Sequence, residues 1–80
     1  VMDYDQDKVD DAALALLYLT MRNDGTGTRA WKSYDWAAME RLHQKGYIAD
    51  PKGMAKSVAI TEEGKAKAEL LFLQLFGKTP

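Results

Sequence analysis

Three apolar segments, each spaced for a helix, alternate along the chain with two polar connectors that carry glycine. The first apolar run is unbroken, Ala12-Ala13-Leu14-Ala15-Leu16-Leu17-Tyr18-Leu19. On a helical wheel Val9, Ala12, Ala13, Leu16, Leu17 and Thr20 share a face, and Leu14, Tyr18 and Met21 widen the arc. That pattern predicts a helix covered on nearly every side. Asp3, Asp5 and Asp7 stand at its start, where carboxylates accept from free backbone N–H groups and favour the positive end of the helix dipole. Asn23-Asp24-Gly25 tolerates positive φ and predicts its end.

Residues 24–33 read as a polar loop, with Thr28-Arg29-Ala30-Trp31 long enough for a single helical turn. Ser33 or Asp35 is the expected N-cap of a second helix, and Gly46 its end. Trp36, Ala38, Met39 and Leu42 form its apolar side, and Ala37, Glu40, Arg41 and Gln44 its polar side. Asp50-Pro51-Lys52-Gly53 has the residues a type I turn favours. With Tyr47-Ile48 before it and Ser57-Val58-Ala59-Ile60 after, residues 47–60 predict a two-stranded hairpin. Thr61 caps the last helix, Glu62 and Glu63 fill its first turn, and Gly77 and Pro80 lie beyond its end.

The last helix has two apolar stripes. Ala66, Leu70 and Leu73 form one; Ala68, Leu71, Phe72, Leu75 and Phe76 form the other. A helix at the edge of so small a body has one neighbouring surface to bury against, so the second stripe, through Leu71, Phe72, Leu75 and Phe76, is expected to meet a second copy. A homodimer through the terminal helices follows.

Composition narrows the picture without changing it. Eighty residues, 46% apolar and 29% charged, give one folded domain over 1–80. The absence of cysteine removes disulfides and fits a reducing compartment, so cytoplasm is the expected location. No apolar stretch approaches the roughly 20 residues that span a bilayer. The net charge of −1 is uneven, because residues 1–11 carry −4 and the remainder +3. Between 29 and 56, six basic residues face Asp35, Glu40 and Asp50.

Candidate chemistry is sparse. One histidine, no cysteine and scattered serines and carboxylates assemble no nucleophilic or acid–base set, so no enzyme and no cofactor is expected, and His43 reads as a packing or surface residue. Asp3, Asp5 and Asp7 hint at calcium, but a loop counted from Asp3 puts Lys8 at the glycine position and Leu14 at the bidentate glutamate. Gly25-Thr26-Gly27-Thr28-Arg29-Ala30 has dinucleotide-loop spacing but follows a helix where a strand is needed. Trp31, Tyr34 and Trp36, interleaved with Arg29 and Lys32, are expected to plug the core, with stacking on bases or on a partner's side chains as the alternative.

Leu42-His43-Gln44-Lys45-Gly46-Tyr47-Ile48 running into Val58-Ala59-Ile60-Thr61-Glu62-Glu63-Gly64 resembles the second half of a winged-helix domain. Asp3-Tyr4-Asp5, Leu14 to Leu19, Asp35-Trp36, Arg41-Leu42-His43 and Lys56-Ser57-Val58 look like a family of small bacterial proteins of unknown function. The resemblance implies a mainly α, winged-helix-like fold in the order helix, helix, hairpin wing, helix, with an abbreviated helix-turn-helix. It leaves two functions open. In one, a dimeric regulator binds double-stranded DNA through Arg41, Gln44 and Lys45 on the second helix and Lys52 and Lys56 on the wing. In the other, the same fold is a protein-interaction module that never touches nucleic acid.

Overall fold

The computed structural model describes residues 2–32 and 35–78, so the Ser33 cap, Tyr34 and Pro80 lie outside the described residues. Within them the order is α1 (Gln6–Leu17), a 3-10 turn (Tyr18–Thr20), β1 (Arg22–Asn23), β2 (Thr28–Trp31), α2 (Trp36–Gln44), β3 (Ser57–Ile60) and α3 (Glu62–Phe76). The described residues therefore form a mixed α/β domain in which three helices pack with a three-stranded antiparallel sheet of order β1-β2-β3.

Asp5 is the N-cap of α1, its Oδ1 accepting from the Lys8 N–H at 3.1 Å. The helix stops earlier than its apolar run suggests. After Leu17 the chain tightens into the 3-10 turn, and Met21 is already extended. Thr20 explains the change: its hydroxyl lies 3.4 Å from the Leu17 carbonyl and accepts from the Trp31 N–H at 3.1 Å, which ties the chain to β2. Asn23-Asp24-Gly25 serves as a hairpin turn between β1 and β2 rather than as a helix end. There the Asp24 N–H donates to the Gly27 carbonyl at 3.0 Å, and Asp24 Oδ1 accepts from the Thr26 N–H and hydroxyl at 3.0 and 2.7 Å.

The expected loop 24–33 thus holds a strand. β2 pairs with β3 in the register Thr28 to Ile60, Arg29 to Ala59, Ala30 to Val58 and Trp31 to Ser57. Arg29 clamps the pair, with Nε donating to Ser57 Oγ and Nη2 to the Ser57 carbonyl, both at 2.9 Å. The expected partner of β3, Tyr47-Ile48, lies beside its other edge for one bridge only, Ile48 to Ile60. Ala49 N–H to the Ala59 carbonyl at 2.9 Å and Thr61 N–H to the Tyr47 carbonyl at 3.1 Å complete that contact. Pro51 has no N–H with which to continue the ladder, and Asp50 Oδ1 takes the Lys52 N–H at 2.9 Å, turning the chain away.

Asp35 caps α2 through the Ala38 N–H at 3.2 Å. The helix ends in a Schellman motif, in which Gly46, at φ +84°, donates to the His43 carbonyl at 3.0 Å and Tyr47 N–H to the Leu42 carbonyl at 3.1 Å. Leu14, Leu17, Met39, Leu42 and Ile48 are fully buried, each contributing about 1.5–3 kcal/mol relative to exposure. Val9, in contrast, sits at the rim of an apolar groove with Ala12, Ala13, Leu16, Asp35 and Ala38.

Thr61 joins α3 to the end of α2. Its hydroxyl lies 2.7 Å from the Gly46 carbonyl and 3.1 Å from that of Tyr47, and accepts from the Gly64 N–H at 2.9 Å. Gly64 is buried so closely against the Tyr47 carbonyl that a Cβ there would overlap it. Because the obstacle is backbone already bonded to Thr61, Gly64→Ala should destabilise the domain by about 1–3 kcal/mol. Urea denaturation checks this, and an unchanged midpoint would show that α3 can back away from Tyr47 freely.

Candidate functional site

Asp10 lies on α1 in step with Ala13, Leu14 and Leu17, and like them it is buried, with 0% of its surface exposed. Two cations from the end of α2 enclose it. Arg41 Nε lies 2.9 and 2.8 Å from Oδ1 and Oδ2, and Nη2 lies 2.8 Å from Oδ1. That last contact is ionic only, because Nη2 is buried with no aligned hydrogen-bond acceptor. Lys45 Nζ donates at 3.0 Å to Asp10 Oδ2 and at 3.0 Å to Asp7 Oδ1 at the surface.

These contacts set the protonation states. Burial by itself would raise the Asp10 carboxyl, but hydrogen bonds from Arg41 and Lys45 and their charges outweigh it and hold the group below its ordinary 3.8. The hydrogen bond to Asp10 raises the Arg41 guanidinium further. Desolvation would lower Lys45, yet Asp10 and Asp7 raise it above its ordinary 10.5. All three groups stay charged across the neutral range.

The proposed nucleic-acid residues consequently divide. Arg41 turns from the polar side expected of it into the α1 contact, and Lys45 is bound to Asp10 and Asp7. Gln44, Lys52 and Lys56 are exposed, and the two lysine ammonium groups make no ion pair among the described residues. Other basic groups of the 29–56 stretch are also occupied internally. Arg29 holds Ser57, and Lys32 Nζ donates to the Gly53 carbonyl at 3.3 Å.

The stripes of α3 are reversed in part. Ala68 and Leu71 are buried in this chain's own core, and Phe72 packs against that core, its ring 5.3 Å from Tyr18 and 5.4 Å from Phe76. Leu71 is therefore withdrawn from any contact with a second copy. Leu70 and Leu73, from the stripe expected to be covered, are instead 50% and 62% exposed. Leu75 and Phe76, at the helix end, are 51% and 47% exposed. The tryptophans overturn their expectation as well: Trp31 and Trp36 are exposed, outside the core. Trp31 ends the central strand β2 on the face away from buried Thr28 and Ala30, and Trp36 is the first residue of α2. Arg22 lies over Trp31, 5.2 Å from the ring centroid.

His43 Nδ1 donates to the Ile48 carbonyl at 3.1 Å and so fastens α2 to the segment that follows. Among the described residues, no group of three or more His, Cys, Asp or Glu side chains is placed to hold a metal ion, and no helix is long and apolar enough to cross a membrane. The residue that sequence reading missed is Asp10, which enters it only within the −4 of residues 1–11. Its spacing from Ala13, Leu14 and Leu17 is the apolar-face spacing, and an acid there is the signal for a buried partner.

Taken together, these features define a small α/β domain organised around a buried ion network, with apolar residues left on one helix. The chain belongs to the family described as "Domain of unknown function (DUF6429)", which matches residues 5–78. It is 49% identical over 75 residues to the "Uncharacterized protein y4hR" of Sinorhizobium fredii (strain NBRC 101917 / NGR234), covering 94% of this chain and 97% of that one. No solved structure matches it. The likeness to small bacterial proteins of unknown function is thereby confirmed.

The network makes stability depend on pH in a defined way. Asp10 is lowered in the folded state, so its contribution is present above 3.8 and is lost as pH falls through its lowered value. Lys45 is raised, so its contribution is present below 10.5 and is lost as pH rises through its raised value. Asp10→Asn should cost about 2–3 kcal/mol at neutral pH, less than a fully enclosed pair because Lys45 keeps contact with water. Denaturant titrations at pH 7 and in acid should show the gap to wild type closing below pH 3.8. A gap independent of pH would mean that the carboxylate charge is not what holds α1 to α2.

Proposed function

We propose that this protein is a non-enzymatic interaction module on a winged-helix-like frame, which self-associates through the outward residues of α3. The observation carrying this reading is the exposure of Leu70, Leu73, Leu75 and Phe76 on one helix. Leu70, Leu73 and Phe76, three residues apart in turn, share one side of the helix and form a patch of the kind that marks protein contacts, because covering each one contributes about 1.5–3 kcal/mol relative to leaving it in water. The buried ion network supports the same reading, since it occupies Arg41 and Lys45, two of the cations that groove binding needs. Leu73→Glu with Phe76→Glu should convert a dimer to a monomer with the helical content unchanged. Sedimentation of wild type as a monomer at about 100 μM, well above the micromolar range of modest complexes, would remove the self-association.

A second reading is favoured by the exposed Lys52 and Lys56 beside the 50–53 turn: a dimeric DNA-binding regulator contacting duplex phosphates through these lysines and Gln44. The two readings separate in a low-salt titration with random duplex DNA. The interaction module predicts no binding at about 100 μM protein, the weak end of non-specific DNA affinity. Binding whose logarithm falls with log salt by about 0.9 per phosphate contact, and by about one contact less in Lys52→Ala, would replace it with the regulator.

A further inference from the structure

Pairing in the sheet puts Arg22 directly opposite Arg29, and Trp31 stands two residues further along β2, so the three side chains leave the same face. Thr28, Ala30, Val58 and Ile60 are buried on the other. We propose that the outer face, built on Arg22, Arg29 and Trp31, binds single-stranded nucleic acid, with a base stacked on Trp31 and phosphates beside the arginines. The face is separate from the α3 patch, so the proposal stands independently of self-association.

Charge complementarity is the first support. The three strands carry two arginines and no acid. Neither arginine makes an ion pair among the described residues, unlike Arg41 and Lys45. Arg29 donates to Ser57 Oγ and to the Ser57 carbonyl, which fixes the guanidinium on the face and leaves its charge in place. Beyond Trp31 the ladder continues from Lys32 N–H to the Lys56 carbonyl at 2.8 Å, bringing two further cations to that end of the strands. Asp24, in the turn at the opposite end, has its Oδ1 taken by the Thr26 N–H and hydroxyl. A phosphate chain laid along β2 therefore meets cations from Arg29 to Lys32.

Trp31 decides the kind of polyanion. The residue is 43% exposed, and the Arg22 guanidinium stands over its ring, 5.2 Å from the centroid. That contact holds the ring in place and leaves it a surface in water on which a base can stack. Ser57 and Ala59, opposite Trp31 and Arg29 on β3, are small and keep the floor beside them low. An acidic peptide would meet the arginines and leave the ring uncovered. In a duplex the bases are stacked on one another, so the strand that reaches the ring is single.

The test follows the fluorescence of the full chain carrying Trp36→Phe, in which Trp31 is the only tryptophan, on addition of oligothymidylate or oligouridylate of about ten nucleotides, within the usual footprint of such sites. At low salt at least one should quench Trp31 with Kd of about 100 μM or below, the weak end of non-specific nucleic-acid affinity. The logarithm of affinity should fall with log salt by about 1.4, or about 0.7 for each of two contacts on a single strand, and Arg22→Gln should bring the slope to about 0.7. Trp31→Leu, followed by anisotropy of a labelled oligonucleotide, should weaken binding about tenfold, as loss of one stacked base implies. Both substituted residues are exposed, so the helical content should stay unchanged. The proposal is overturned by no quenching with either oligonucleotide at about 1 mM, well above that Kd; by equal affinity for a duplex of the same length; by equal quenching with polyglutamate, which would make the face a site for acidic protein; or by unchanged affinity in Trp31→Leu.

Discussion

The arrangement of this domain depends on how one carboxylate is buried. Asp10 occupies a position on α1 that must turn inward if Ala13, Leu14 and Leu17 are to be buried, and an isolated buried carboxylate would cost more than those side chains contribute. Arg41 and Lys45 remove that cost. They lie four residues apart at the end of α2, and so can converge on one carboxylate only if α2 crosses α1 at a single height. The same contact places cations at the C-terminal end of α2 and acids near the N-terminal end of α1, where both helix dipoles favour them.

With that height set, the rest of the fold follows in order. Gly46 turns the chain out of α2, Tyr47 offers its carbonyl to Thr61, and Gly64 lets α3 approach that carbonyl at close range. The entry of α3 then fixes which of its faces meets α1. Ala68 and Leu71 go inward, and Leu70 and Leu73 are left outside. The apolar surface on which the interaction reading rests is thus a consequence of where the ion network and the Thr61 junction put the helix.

Charge is distributed by the same logic. A stretch that reads as basic is engaged in large part by its own fold: Asp10 pairs with Arg41 and Lys45, and backbone and Ser57 oxygens hold Arg29 and Lys32 in hydrogen bonds that leave their charge in place. The cations left unpaired lie elsewhere. Lys52 and Lys56 lie exposed within the 50–56 segment, and Arg22 stands over the Trp31 ring. Counting charges along the chain could not separate these groups, because pairing between residues 31 or 35 positions apart is invisible to it.

Local signals were sufficient wherever the cause was local. Asp5, Asp35 and Thr61 cap the helices expected of them, and Gly46 ends α2, because each acts within a few residues of itself. Membership of the family was legible for the same reason, since short motifs spread along the chain carry it. The strand at Thr28–Trp31 was not legible, because four residues in a polar loop become a strand only when β3 arrives beside them. The burial of Asp10, the exposure of Trp31 and Trp36 and the choice between the stripes of α3 were hidden likewise. Periodicity shows that a helix has two apolar faces, but which of them is covered depends on where a distant element packs, and that was decided by the tertiary contact of α1 with α2 and α3.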